Sequence, residues 1–107
     1  MMTRYLSLLP ALLVSAVPTT GLALEKVGQE VFNKHCTHCH APGLNHPGTL
    51  QLSVTRGEAL SVLEQRRDLS PDYIKYIVRH GLKTMPAFKP TTITNKELDA
   101  LASHLGK

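Results

Sequence analysis

Five consecutive residues, Cys36-Thr37-His38-Cys39-His40, carry the chemistry that this sequence can do. Their spacing is C-x-x-C-H, the pattern of covalent haem attachment. Each cysteine sulfur can add across one vinyl group of a porphyrin, and the two-residue gap lets one turn of backbone present both sulfurs to neighbouring vinyls. His40 follows at once, which places its imidazole under the iron as the proximal ligand. Such a histidine ordinarily donates its second ring N–H to an acceptor that fixes its orientation. A backbone carbonyl near Pro47 is the expected acceptor.

Other uses of the two cysteines can be weighed. They are the only cysteines in the chain, and in an exported protein they can simply form a disulfide. A thioredoxin-like redox pair expects a βαβ context, and no strand pattern is present. Zinc is a third reading, because His40 and His46 have an H-x5-H spacing, but they crowd the cysteines.

A second iron ligand is available further on. Met85 precedes Pro86, and proline drives the residue before it into an extended conformation that can aim a side chain. Met1 and Met2 belong to the N-terminal leader, so Met85 is the candidate thioether. Histidine–methionine ligation raises the reduction potential. It also fills both axial positions, leaving an iron that passes single electrons and binds no substrate. The alternatives are a loop methionine filling a gap, or an open iron that handles peroxide.

Around these residues the remaining candidates have two readings each. Arg79 pairs with a haem propionate or is a solvated helix-end arginine. Lys83 and Lys89 form a basic rim for an acidic partner face or only keep the loop soluble. Ala87 and Phe88 are the apolar centre of a docking patch, or Phe88 packs the haem pocket. His35, His38 and His46 read as exposed spacers and loop residues.

Helices must position the motif. Leu24 to His35 reads as a first helix, with Val27, Val31 and Phe32 on one stripe. Gly28 inside it costs about 1 kcal/mol against alanine, which suggests close approach by another helix. Ala41 to Leu50 holds Pro42, Gly43, Asn45, Pro47 and Gly48 and reads as a loop. Gln51 to Gly57 has no clear pattern, and Glu58 to Arg67 reads as a short amphipathic helix. Ser70-Pro71-Asp72 starts a helix with an N-cap, a first-turn proline and an acid at the positive end. Tyr73, Ile74, Ile77 and Val78 are its expected buried stripe, and Gly81 its end. Gly81 to Thr92 has no periodicity. Thr94-Asn95-Lys96-Glu97 is a capping box with Ile93 and Leu98 as its staple. Leu98, Leu101, Ala102 and Leu105 then face the first helix.

The N-terminus reads as a secretory signal: basic Arg4, an apolar run from Leu6 to Val17, and small residues ending at Ala23. The expected organisation is therefore a signal peptide at 1–23 and one domain at 24–107, in the periplasm, with no stable membrane insertion after cleavage. Twelve basic against eight acidic residues give +4. Arg4 is the only charge in the leader, so the domain carries +3, and two haem propionates leave about +1. No basic run supports nucleic-acid binding.

The motif near the domain's N-terminus, with Met85-Pro86 before a final helix, resembles the small class I cytochromes c. The resemblance implies an all-α fold, with crossed N- and C-terminal helices around one covalently bound haem c. The stretch Tyr73-Ile74-Lys75, Ile77-Val78-Arg79, Gly81 and Met85-Pro86-Ala87-Phe88 looks like the cytochrome subunit of p-cresol methylhydroxylase-like flavocytochromes. That likeness implies docking on an FAD-containing dehydrogenase of phenolic or alcohol substrates, with electrons taken one at a time. The alternative partner is another redox protein, with the chain acting as a free shuttle between a periplasmic dehydrogenase and a terminal oxidase. Two features depart from the family: Gln51 to Arg67 looks longer, and His104 replaces an aromatic residue.

Overall fold

The computed structural model describes residues 8–16 and 19–107. Residues 1–7 and 17–18 of the expected leader lie outside the described residues, and 8–16 have no regular structure. The fold is all-α, with no strand among the described residues. The described residues form five α-helices, α1 (Thr19–His35), α2 (Thr37–His40), α3 (Pro47–Arg56), α4 (Pro71–His80) and α5 (Asn95–Leu105). The first begins earlier than Leu24, so the expected 23/24 boundary falls within α1. No helix among the described residues is long and apolar enough to cross a membrane.

Packing starts from α1 against α5, the most extensive contact between elements, with α4 resting on α5. Glycine at position 28 is what lets the first pair meet. A Cβ there would fall on the Ala100 carbonyl oxygen and 2.7 Å from the His104 Cβ. Below that crossing lie Val31 and Phe32 from α1, Ile74 and Val78 from α4, and Leu98, Leu101, Ala102 and Leu105 from α5, joined by Leu69 and Ile93. Phe32 and Leu101 are wholly enclosed; each contributes about 1.5–3 kcal/mol from burial. Three expected stripe residues are not in this core: Val27 and Tyr73 are exposed and Ile77 is half-buried.

The helix starts follow local chemistry. Ser70 caps α4 by accepting from the Tyr73 N–H at 3.2 Å, with Pro71 in the first turn. Thr94 accepts from the Glu97 N–H at 3.1 Å, and Glu97 reaches back to the Thr94 N–H at 3.0 Å. Both orphan donors are thereby satisfied. Ile93 and Leu98 are both buried beside this box.

Two segments differ from expectation. The region read as loop and as patternless, 41–57, contains α3, which Pro47 opens from its first turn. Proline there loses no helix hydrogen bond and has its φ already set. Glu58 to Arg67 is not one amphipathic helix but two 3-10 turns, Glu58–Leu60 and Leu63–Gln65. The Ser61 hydroxyl donates to the Glu58 carbonyl at 2.7 Å, an alternative bond of the kind that competes with helix propagation.

Candidate haem-attachment site

The motif continues the turn of α1. Cys36 N–H donates to the Phe32 carbonyl at 2.9 Å and His40 N–H to the Cys36 carbonyl at 2.8 Å. Cys36, Cys39 and His40 thus stand at i, i+3 and i+4, neighbours on one helical face. Both thiols are free and half-buried. Cys36 packs against the core formed by α1, α4 and α5. Burial first, then the Cys39 thiol and the Glu64 carboxylate, push its thiol up to about 12, so before any attachment it stays protonated.

His40 is held as a neutral base. Burial holds its imidazole below the ordinary 6.5, and a neutral ring has the lone pair that a metal ligand needs. Its Nδ1 is buried without a hydrogen-bond partner, so the carbonyl expected near Pro47 does not accept from it. Instead the ring edge lies against the first turn of α3. A Cβ on Gly48 would come within 2.6 Å of His40 Cε1, 2.8 Å of Nδ1 and 2.7 Å of the Cys39 carbonyl oxygen. Gly48 therefore reserves the space of the ring. Two bonds hold α3 in place: the buried Thr49 hydroxyl donates to the Ala41 carbonyl at 2.7 Å, and His46 Nδ1 contacts the His38 carbonyl at 2.9 Å. A carbonyl only accepts, so His46 donates there, as a structural residue rather than a solvated one. His38 is exposed as expected.

Met85 lies beyond α4 on the other segment that borders the core. Gly81 leaves the helix at φ +73°. Leu82 and Met85 then exchange backbone bonds of 3.1 and 2.9 Å, with Lys83 at φ +54° between them. Met85 is half-buried and packs on the same core cluster as Cys36, Leu63 and Phe88. Phe88 serves packing, not an exposed patch. His35 is no exposed spacer either: its ring meets Phe88 edge-on at 6.2 Å, and its Nε2 is buried without a partner.

Arg79 reaches no solvent-side partner. Its guanidinium donates to the Phe88 carbonyl at 3.0 Å, the Ile93 carbonyl at 2.8 Å and Asn95 Oδ1 at 2.8 Å. Three of its donors are used within the chain, so it is not a merely solvated helix-end arginine. His104 stands over Phe32 at 6.2 Å, in the place of an aromatic ring. Its Nε2 contacts Glu64 Oε2 at 2.8 Å, and the same oxygen accepts from Gln29 Nε2 at 3.1 Å. The long 51–67 segment is thus tied to the α1–α5 crossing. Gly48, Arg79 and Glu64 were not recognisable from local sequence; Pro47 at a helix start was the one available signal.

The residues present fit a haem better than their alternatives. Among the described residues, no three His, Cys, Asp or Glu side chains are grouped to hold an ion, so the zinc reading falls. The thiols are not joined. Leu44, Leu50 and Leu82, in the segments next to His40 and Met85, are exposed apolar side chains, surface that a large apolar group covers. The groove along α1, lined by Val27, Glu30, Val31, Lys34 and Glu97, contains none of the four candidate residues.

Over residues 23–105 the chain matches the family model described as cytochrome C oxidase, cbb3-type, subunit III. It is 33% identical over 78 residues to the 4-cresol dehydrogenase [hydroxylating] cytochrome c subunit of Pseudomonas putida, a match covering 73% of this chain and 57% of that relative. The match therefore spans little more than half of that subunit's length. It is also 35% identical over 95 residues to cytochrome c6 of Thermosynechococcus vestitus, covering 89% of this chain and 80% of the relative. The cytochrome c6 of Thermostichus vulcanus is 34% identical over the same extent. No solved structure gives a significant match.

Proposed function

This chain belongs to the class I c-type cytochromes, and on that premise we propose that it is the electron-carrying subunit of a periplasmic flavin dehydrogenase. Its family makes it an electron-transfer protein without catalysis of its own, with covalent haem c as cofactor. In the proposed arrangement Cys36 and Cys39 would hold one haem by thioether bonds, and His40 and Met85 would ligate its iron. Residues 1–23 are the export signal and 24–107 the working domain.

Each residue's part follows from its surroundings. The cysteines fix the group to the end of α1 permanently. Burial keeps His40 neutral, and Gly48 keeps its ring seated. Met85 approaches from the loop after α4, its backbone held by Leu82. A haem so held would supply one-electron exchange. The peroxide reading requires an open position, which the pairing of His40 with Met85 removes.

One observation carries the choice of partner: the likeness to the cytochrome subunit of a 4-cresol dehydrogenase. It supports an FAD-containing dehydrogenase of phenolic or alcohol substrates as electron donor. Lys83 and Lys89, both exposed beside Met85, supply a basic rim for an acidic partner face. The likeness to cytochromes c6 extends over more of each protein and favours a second reading, a free soluble shuttle between another periplasmic dehydrogenase and a terminal oxidase.

The two separate on gel filtration of native periplasm, followed by absorption. A subunit brings haem and flavin bands together in one large peak. Haem eluting alone at the size of the small domain, at protein concentrations where a weak complex persists, supports the shuttle instead.

A further inference from the structure

We propose that Arg79 is the positioning residue for Met85, setting how firmly the thioether stays on the iron. The inference rests on the reading of Met85 as axial ligand. Arg79 belongs to the last turn of α4 and is half-buried. From there it spans the loop that follows. Nη1 donates to the carbonyls of Phe88 (3.0 Å) and Ile93 (2.8 Å), and Nη2 to Asn95 Oδ1 (2.8 Å). The acceptors lie 9, 14 and 16 residues further along the chain. All three are uncharged: two are backbone carbonyls and one is a side-chain amide oxygen. A planar guanidinium with five donors can reach three acceptors together; an ammonium on a flexible stem cannot reproduce that fork.

The rest of the loop shows why this matters. Upstream, Met85 is tied to Leu82 by two backbone bonds. Downstream, the next anchored residue is Phe88. Its N–H donates to the Val78 carbonyl at 2.8 Å, and its own carbonyl accepts from Arg79. Both come from the final turns of α4, so one helix end grips Phe88 on both sides, three residues beyond Met85. Pro86 contributes no backbone donor. Without Arg79, the carbonyls of Phe88 and Ile93 lose their charged donor, and downstream of Met85 only the Phe88 N–H bond to Val78 remains. A side chain held in its bound position binds more tightly because less freedom is lost. Arg79 therefore acts on the ligand's occupancy, and through it on the potential, without touching the haem.

The test uses full-length, haem-loaded ferric protein, with imidazole as the probe competing for the Met85 position. Arg79→Gln is expected to bind imidazole about ten-fold more tightly, the scale of one charged hydrogen bond. Its Met-to-iron charge-transfer band weakens and its reduction potential falls. Arg79→Lys moves the same way by less, and carries the test if Arg79→Gln yields no holoprotein. Lys75→Gln is the control: Lys75 shares α4 with Arg79, and the substitution breaks its 2.7 Å contact with Asp99 of α5, away from the loop, and stays at the wild-type affinity. Wild-type imidazole affinity in both Arg79 variants overturns the inference, as does an equal shift in Lys75→Gln. If the wild type lacks the charge-transfer band and matches Met85→Ala, the ligation itself is wrong, and the inference falls with it.

Discussion

The two sides of the proposed haem site are built by opposite means. On the His40 side, the proposed ligand is part of a helical turn continuous with α1, beside the two cysteines proposed to bond the haem. The next helix is packed so closely that only glycine fits at position 48. On the Met85 side, the proposed ligand stands in a loop with two left-handed residues, Gly81 and Lys83. That loop is secured by a few backbone bonds and by one arginine side chain. In the proposed site, one side would fix the cofactor and the other would tune it. A carrier needs both, because a haem must not be lost, while its potential depends on a weaker bond that the chain can adjust.

Adding one methyl group to each side separates these roles. Gly48→Ala has the larger expected effect. Its Cβ would press on the His40 ring and the Cys39 carbonyl, and overpacking there is expected to cost about 3 kcal/mol, with less haem attached. Gly81→Ala must adopt φ +73° with its Cβ 2.6 Å from the Met85 carbonyl oxygen, an expected cost of about 2 kcal/mol. It should keep its haem but weaken the Met-to-iron band. Denaturant unfolding and haem content of the two holoproteins check this. Were Gly81→Ala to lose haem while Gly48→Ala kept it, the division of labour would be reversed.

The capping box of α5 should give the smallest change and leave both ligands alone. Thr94→Ala is expected to cost about 1 kcal/mol. The backbone N–H of Thr94, then its side chain, hold the Glu97 carboxyl below its ordinary 4.5. A carboxyl lowered on folding stabilises above its unfolded value, and that contribution disappears as pH falls through its folded one. Glu97→Gln should therefore melt below wild type at neutral pH and converge with it in acid. A gap in melting temperature that stays constant down to pH 3 contradicts the box.

What could be read from the sequence was chemistry complete within a few residues. The C-x-x-C-H motif, the Ser70-Pro71 start and the Thr94–Glu97 box each contain their own partners. Gly28 was readable for a related reason: a glycine inside an apolar helix stripe points to close packing. The segment from 41 to 50 was misread as a loop because Pro47 and Gly48 serve two purposes. One opens a helix and the other clears room for a ring eight residues earlier, and both look like turn formers. The role of Arg79 depends on carbonyls 9 and 14 residues away. His104 finds its carboxylate 40 residues distant. No local pattern encodes such contacts; they exist only once α1, α4 and α5 have packed.

The most direct test of the account is the Met85→Ala variant, compared with wild type by absorption spectrum and potentiometry. The account predicts that the haem stays covalently attached, the Met-to-iron charge-transfer band disappears and the reduction potential drops. An unchanged band and potential would mean that Met85 is not on the iron, and the two-sided description of the site would be wrong.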